Sequence, residues 1–127
     1  MNIVRKINDE LAIAGQITLD QLKQIADEGY KSVLNLRLPD ETGLLVDEQE
    51  KTELLGLYYV NLPTKSEDIN NQGTLQIYQT IIELPKPILI HCDNSIRSAA
   101  IVLLYIAIKQ GMTFEKALEK IISLGLI

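Results

Sequence analysis

The sequence predicts an α/β domain with a central, mainly parallel sheet flanked by helices. Short apolar runs of strand length alternate along the chain with longer segments whose apolar residues recur at helical spacing. This order is typical of parallel strands joined by helical crossovers. Residues 88–90 are apolar without alternation, as in a strand covered on both faces. With 127 residues and no linker or repeat, residues 1–127 are predicted to form a single domain.

The predicted elements follow one another in a regular order. The first helix has the clearest local signal, because Thr18 and Gln21 have the spacing of a capping box and Gly29 ends the apolar pattern. The helix that follows the last strand is apolar nearly all round and is expected to be central. Residues 64–73 form a polar loop, longer than most connections, which suggests a function. Strands are predicted at residues 11–14, 32–36, 57–62 and 88–90, and helices at 18–28, 46–55, 74–84, 97–110 and 113–122.

Composition and charge narrow the classes of function. A net charge of −5 and a pI of about 4.8 oppose binding to nucleic acid or to an acidic membrane, because such partners require a basic surface. The single cysteine cannot form an intramolecular disulfide and fits a reducing cytosol. The N-terminus lacks a signal peptide, and the most apolar run, residues 99–108, is half the length of a membrane span. We therefore expect a cytoplasmic protein without nucleic-acid or membrane partners.

The chemistry is predicted to lie in the segment that joins the last strand to the apolar helix, residues 91–98. Ligands of such sheets bind at the carboxyl ends of central strands, where helix N-termini also point. The free amides of this loop and the helix dipole attract an oxyanion. Arg97 adds a planar fork of donors suited to bidentate binding of phosphate or sulfate. The segment is therefore predicted to be an anion-binding loop.

Cys92 is the predicted nucleophile of this loop. A thiol at a helix N-terminus beside an arginine ionises more readily than a free thiol, so we expect a thiolate that requires no separate base. Ser98 is placed to donate a hydrogen bond to the sulfur. His91 is expected to orient the loop through hydrogen bonds rather than to abstract a proton. The sequence contains no glycine-rich nucleotide motif and no metal-ligand cluster, so we expect neither a cofactor nor a metal.

The order His91-Cys92, four residues, then Arg97-Ser98 resembles the phosphate loop of the cysteine-dependent protein tyrosine and dual-specificity phosphatases. The chain is most similar to a small bacterial branch of that superfamily, which is related to the N-terminal domain of beta-lactamase-hydrolase-like proteins. The resemblance covers almost the whole chain. Its supporting segments are residues 14–16, 33–37, 57–63, 110–113 and 117–118.

The resemblance implies a phosphomonoester hydrolase that acts through a phosphocysteine. Cys92 would attack phosphorus, Arg97 would hold the equatorial oxygens, and water would later release phosphate. The substrate would be a phosphorylated protein or a small phosphomonoester. The remaining predicted substrate-binding residues are His91, Asp93, Asn94, Ser95, Ile96 and Ser98.

Two departures from the family pattern predict weak activity. Most phosphatases of the superfamily have five residues between Cys and Arg, whereas this chain has four. Ser95 stands where the branch usually has Gly, and Asp93 places an acid where one is seldom found. The general acid is expected on the loop that follows the third strand, where Asp68 is the candidate. Asp40, which follows Arg37, is the alternative.

Two other functions are also compatible with the sequence. A Cys-x4-Arg loop also suits persulfide chemistry, as in a rhodanese-type sulfurtransferase, although the similarity outside the loop disfavours it. Asp93 and the unassigned acid are also compatible with a non-catalytic phosphate-binding pseudophosphatase. The sequence does not identify the physiological substrate or the oligomeric state.

Overall fold

The computed structural model describes residues 4–69 and 71–127. Within them, five strands form one sheet in the order β1-β2-β5-β3-β4. The pairs β2–β5, β5–β3 and β3–β4 are parallel, and the edge pair β1–β2 is antiparallel. The predicted α/β class with a mainly parallel sheet is confirmed. The strands are β1 Arg5–Lys6, β2 Leu11–Ala14, β3 Ser32–Asn35, β4 Tyr58–Asn61 and β5 Ile88–His91.

Five α-helices flank the sheet in the described part of the chain: α1 Leu19–Asp27, α2 Glu48–Leu54, α3 Asn71–Glu83, α4 Ile96–Lys109 and α5 Phe114–Ser123. The predicted capping box of α1 is present. The Thr18 hydroxyl accepts a hydrogen bond from the Gln21 amide at 3.2 Å, and the Gln21 side chain accepts one from the Thr18 amide at 2.9 Å. None of the described helices combines the length and apolar character needed to cross a membrane.

The core has two apolar layers because successive side chains of a strand point to opposite faces of the sheet. Leu89 packs on one face with Val33 and with Leu22 of α1. Ile88 and Ile90 point to the other face, which α3, α4 and α5 cover. β5 therefore lies at the centre of the sheet with both faces covered, as its unalternating apolar sequence predicts.

The register of the three central strands assembles the site. Ala14, His91 and Asn35, the last residues of β2, β5 and β3, are direct neighbours across the sheet. The segments that follow these strands consequently leave the same edge side by side. Gly15, Cys92 and Leu36, which follow these strand ends, thereby come from distant parts of the sequence to the same edge of the sheet.

Three details of the elements differ from the expectation. β1 was not expected, because a two-residue strand is too short to show an alternating pattern. Inside the predicted loop 64–73, residues Ser66–Asp68 form a 3₁₀ turn. α3 begins at Asn71 rather than at residue 74, because its polar first turn carries no apolar residue at helical spacing.

Candidate active site

The segment between β5 and α4 forms a tight loop that rests on the end of β2. The Cys92 amide donates to the Ala14 carbonyl at 3.2 Å, and the Gln16 amide donates to the Asp93 carbonyl at 3.1 Å. A Cβ atom added to Gly15 would lie 2.7 Å from the Asp93 carbonyl oxygen. Glycine is therefore required at position 15, because any side chain would push the loop away from the strand.

Ser95 makes the turn from this loop into α4 and has a left-handed backbone, with φ of 70°. Its carbonyl accepts the Ala99 amide at 2.9 Å and so begins the helix. A left-handed conformation costs an L-residue roughly 1–2 kcal/mol relative to the right-handed region, whereas glycine adopts it freely. Ser95 therefore adopts a conformation that glycine would adopt at lower cost.

Cys92 lies at the base of the loop, where it is fully buried and has a free thiol. Its burial follows from the packing of β5 and α4, which belong to the same apolar cluster. Ser98, expected to donate to the Cys92 sulfur, is also buried, and its hydroxyl donates to the Ala14 carbonyl at 3.5 Å. Ser98 therefore connects α4 to β2.

The guanidinium of Arg97 binds two carboxylates. Its terminal nitrogens form a bidentate pair with Glu41 at 2.7 and 2.8 Å, and Nη2 also donates to Asp93 Oδ1 at 2.9 Å. Nη1 donates in addition to the Thr64 carbonyl at 2.9 Å. The hydrogen bond to Glu41 is the main reason why the pKa of Arg97 lies above its ordinary value. The same bond is the main cause that lowers the pKa of Glu41 from 4.5 to about 2.

Side chains of the loop also bind its backbone amides. The Asn94 amide donates to Asp93 Oδ1 at 2.8 Å, and the Ile96 amide donates to Asn94 Oδ1 at 3.1 Å. Partial burial disfavours the ionised form of Asp93, but Arg97 and the Asn94 amide outweigh it and hold the pKa of this carboxyl below its usual value. The Asp93 carboxylate thus points towards Arg97 and the Asn94 amide.

Glu41 was missed by the sequence reasoning. It lies on the loop after β3, where Oε2 accepts the Leu38 amide at 2.7 Å and Oε1 accepts Arg37 Nε at 3.0 Å. Arg37 is buried and also donates to Gln16 at 2.7 Å and to the Thr42 carbonyl. The only sequence signal was a carboxylate four residues after an arginine, a common spacing.

In the described part of the chain, neither of the two predicted acids is among the carboxylates that bind Arg97. A cavity of about 430 Å³ has Glu41, Asp93 and Arg97 in its wall, together with Leu38, Lys65, Ser66, Asn94 and Ile96. Asp68 lines a different cavity and accepts the Lys65 amide at 3.2 Å. Asp40 is exposed beside Glu41. The carboxylates that the fold brings to Arg97 are therefore those of Glu41 and Asp93.

His91 lies behind the loop at the end of β5. Its Nε2 is 2.6 Å from Glu48 Oε2, and its Nδ1 is 3.4 Å from the Cys92 carbonyl oxygen. The ring therefore faces away from the cavity and contacts the backbone of the loop. Among residues 4–69 and 71–127, no group of three or more His, Cys, Asp or Glu side chains is arranged to hold a metal ion.

Comparison with known proteins identifies the family of the chain. A family model described as the phosphatase-like domain of beta-lactamase hydrolase-like protein matches residues 3–110. The chain belongs to this family. A beta-lactamase hydrolase-like protein from Agrobacterium fabrum is 29% identical over 103 residues, which are 78% of this chain and 24% of that protein. The chain therefore spans about a quarter of the length of this curated family member.

Solved structures show the same fold. A DUF442 protein from Shewanella putrefaciens CN-32 matches with a TM-score of 0.76 and 19% identity, covering 91% of this chain and 75% of that protein. TpbA from P. aeruginosa, solved in complex with phosphotyrosine, matches with a TM-score of 0.71 and 16% identity, covering 98% of this chain and 74% of that one. The chain therefore has the same fold as these structures.

Proposed function

We propose that the chain is a cysteine-dependent phosphatase that hydrolyses phosphomonoesters through a phosphocysteine at Cys92. The observation that carries this proposal is the bidentate pair between Arg97 and the Glu41 carboxylate, at 2.7 and 2.8 Å. This pair supports the proposal, because the two terminal nitrogens of the guanidinium bind two oxygens of one carboxylate. A phosphoryl group presents oxygens of the same geometry and a larger negative charge.

In the proposed reaction, the Cys92 thiolate attacks phosphorus while the ester oxygen leaves and takes up a proton. Water then attacks the phosphocysteine, giving inorganic phosphate and regenerating the thiolate. Arg97 and the amides of residues 93–96 hold the equatorial oxygens, where charge develops in the transition state. For this, Glu41 and Asp93 have to give up part of their contacts with Arg97. That exchange is our physical reason for expecting weak activity.

The substrate is proposed to be a phosphorylated protein, with phosphotyrosine as the first residue to test, or a small phosphomonoester. The complex of TpbA with phosphotyrosine supports the first choice at the level of fold. Dual specificity for phosphotyrosine and phosphoserine or phosphothreonine belongs to the same proposal. We propose the bacterial cytoplasm as its location, because a lone reactive thiol is best preserved under reducing conditions.

The general acid remains open between three carboxyls. Asp68 is the prediction from the family pattern and Asp40 is its alternative, while Glu41 lies with Asp93 in the same cavity as Arg97. An acid that protonates the leaving oxygen matters most for poor leaving groups, and its removal costs about 10²–10⁴-fold in rate. Asp68→Asn, Asp40→Asn and Glu41→Gln are therefore compared on phenyl phosphate and on para-nitrophenyl phosphate. The general acid is the residue whose replacement slows the hydrolysis of phenyl phosphate more than that of para-nitrophenyl phosphate.

A second candidate is a phosphate-binding protein without turnover. The observation in its favour is that two carboxylates, Glu41 and Asp93, bind the guanidinium that a phosphatase needs for its substrate. A rhodanese-type sulfurtransferase has less support, since both the family and the solved structures are phosphatase-like.

Turnover of para-nitrophenyl phosphate distinguishes these functions when wild type is compared with Cys92→Ser. A phosphatase shows steady release of nitrophenol that is lost in the serine variant, whereas both proteins bind phosphate. A protein that binds phosphate and shows no turnover in either form is the pseudophosphatase. Transfer of sulfur from thiosulfate to cyanide, without hydrolysis, would instead identify the sulfurtransferase.

A further inference from the structure

Glu48 is a buried carboxylate that lies behind the phosphate loop. It is the first residue of α2, and its side chain points inward with only 6% of its surface exposed. Asp47 precedes it in a left-handed conformation, with φ of 56°, which turns the chain sharply into the helix. Short polar residues such as Asp tolerate this conformation better than most. The local backbone thus directs an acidic side chain into the protein.

Hydrogen-bond donors surround this carboxylate. His91 Nε2 lies 2.6 Å from Oε2, and Gln16 Nε2 donates to Oε1 at 3.1 Å. The Tyr59 hydroxyl also bonds to Glu48, while Asn35 donates to the tyrosine oxygen at 3.0 Å. Burial by itself raises the pKa of Glu48, but His91, Gln16 and Tyr59 outweigh it, so that the pKa lies below its ordinary value. Glu48 is therefore a buried anion with donors on both oxygens.

Both ring nitrogens of His91 face oxygen acceptors. The side chain is fully buried. Nε2 faces the Glu48 carboxylate, and Nδ1 lies 3.4 Å from the Cys92 carbonyl oxygen. Neither oxygen can donate a proton, so a ring that makes both contacts as hydrogen bonds carries a proton on each nitrogen. A buried cation is costly unless it is paired with a partner of opposite charge, and Glu48 is that partner.

We propose that Glu48 is a positioning residue that keeps His91 doubly protonated and thereby stabilises the thiolate of Cys92. The proposal rests on the proposed function, in which Cys92 is the nucleophile. The imidazolium lies next to Cys92 in the chain and contacts its carbonyl, so its charge favours the ionised sulfur. Glu48 reaches the reaction only through His91 and touches no substrate.

Other charged and titratable groups surround this pair and the thiol. Tyr59 of β4 contacts Glu48 directly, and Arg37 is connected to it through Gln16. On the side of α4, Arg97 carries the positive charge, and Asp93 and Glu41 are bound to it. A test must therefore change the charge of Glu48 while leaving the groups around Arg97 in place.

The composition of the chain makes this test selective. The sequence contains one histidine and one cysteine, so imidazole ¹⁵N signals report on His91 alone and alkylation by iodoacetamide reports on Cys92 alone. Both are measured on wild type, Glu48→Gln and Glu48→Asp. Glu50→Gln is the matched control, because it removes the same charge from an exposed position of the same helix.

In wild type and Glu50→Gln, we expect both ring nitrogens to be protonated at neutral pH. In Glu48→Gln, the ring becomes neutral, and the midpoint of alkylation rate against pH rises by about one pH unit. Alkylation below the midpoint is then about tenfold slower. Glu48→Asp keeps the negative charge, so its alkylation midpoint should lie closer to that of wild type than the midpoint of Glu48→Gln does. A purely structural role would lower Tm without moving the alkylation midpoint.

The proposal is overturned if the His91 imidazole of wild type is neutral at neutral pH. It is also overturned if Glu48→Gln has the same alkylation midpoint as wild type. If Glu48→Gln does not fold, the wild-type ¹⁵N spectrum and Glu48→Asp still decide. The proposed function is judged separately by turnover of para-nitrophenyl phosphate. If the protein shows no turnover but Glu48→Gln still shifts the alkylation midpoint, the positioning role is supported and the phosphatase is refuted. If the protein shows turnover but Glu48→Gln leaves the midpoint unchanged, the phosphatase is supported and the positioning role is refuted.

Discussion

Replacing Glu41 with Gln should strengthen anion binding at Arg97. In the structure, the Glu41 carboxylate holds both terminal nitrogens of the guanidinium that a phosphate would need. An anion therefore binds only by competing with a carboxylate that belongs to the protein. Gln keeps the size of the side chain and one acceptor oxygen, but it removes the charge. The competitor is thus weakened while Arg97 and the loop stay in place.

The expected gain in anion affinity follows from the pKa of Glu41. The pKa of Glu41 falls from 4.5 to about 2, which at about 1.4 kcal/mol per pH unit corresponds to a net stabilisation of the ionised carboxylate by roughly 3 kcal/mol after the opposing effect of partial burial. The side chain is 20% exposed, and Arg37 and the Leu38 amide share its oxygens with Arg97. With screening by solvent, about 1–2 kcal/mol falls to the pair with Arg97. Release of that pair should tighten anion binding by roughly 5–30-fold.

Isothermal titration with sulfate measures this affinity without turnover. Asp40→Asn is the control, because it removes a carboxylate from the neighbouring, exposed position of the same loop. Wild type and Asp40→Asn should bind alike, and Glu41→Gln should bind more tightly. Unchanged or weaker binding by Glu41→Gln would show that the carboxylate organises the anion site rather than competing for it.

Glu41 should also make the free energy of unfolding depend on pH. Because its pKa is lower in the folded state, Glu41 stabilises the fold above about pH 4.5, and this contribution is lost as the pH falls towards about 2. Gln at position 41 does not titrate. The free energy of unfolding of Glu41→Gln should therefore fall less than that of wild type across this range, by about 1–2 kcal/mol in urea titrations.

Three further variants test the loop. Gly15→Ala should weaken sulfate binding and destabilise the fold by about 1–3 kcal/mol, because its Cβ would lie 2.7 Å from the Asp93 carbonyl oxygen; unchanged binding and Tm would refute the close contact. Ser95→Gly should raise the stability by about 1 kcal/mol in urea unfolding, since φ is 70° there; a loss would mean that the serine side chain outweighs the strain. Arg97→Ala should leave the protein folded by circular dichroism and weaken sulfate binding by about 2–4 kcal/mol, and normal binding would remove Arg97 from the site.

The fold was predictable because its signals are local in the sequence. The apolar run of β5 identifies a central strand, and Thr18 with Gln21 identifies the start of α1 through side-chain bonds three residues apart. The phosphate loop follows from the same reasoning, since it is the segment between a covered strand and an apolar helix. β1 carries no such signal, because its two residues are exposed and only pairing with β2 makes them a strand.

The two glutamates of the site were not predictable, because their partners lie far away in the sequence. Glu41 lies 56 residues from Arg97, and Glu48 lies 43 residues from His91. Each belongs to a polar stretch in which an exposed carboxylate is the ordinary expectation. Only the parallel register, which aligns the ends of β3 and β5, places the loop after β3 next to the phosphate loop. A single sequence does not contain that information.

Hydrogen bonds connect these two glutamates into one path that begins and ends on the phosphate loop. The path runs through His91, Glu48, Gln16, Arg37, Glu41 and Arg97, with successive distances of 2.6, 3.1, 2.7, 3.0 and 2.7 Å. Arg37 lies in the middle of this path and is only 4% exposed. It bonds to Gln16 on the side of Glu48 and to Glu41 on the side of Arg97. A phosphate that displaced Glu41 from Arg97 would leave that carboxylate beside Arg37, to which it also bonds. The contacts behind Cys92 and those in front of it are therefore parts of one network, and residues that share such a network do not contribute independently.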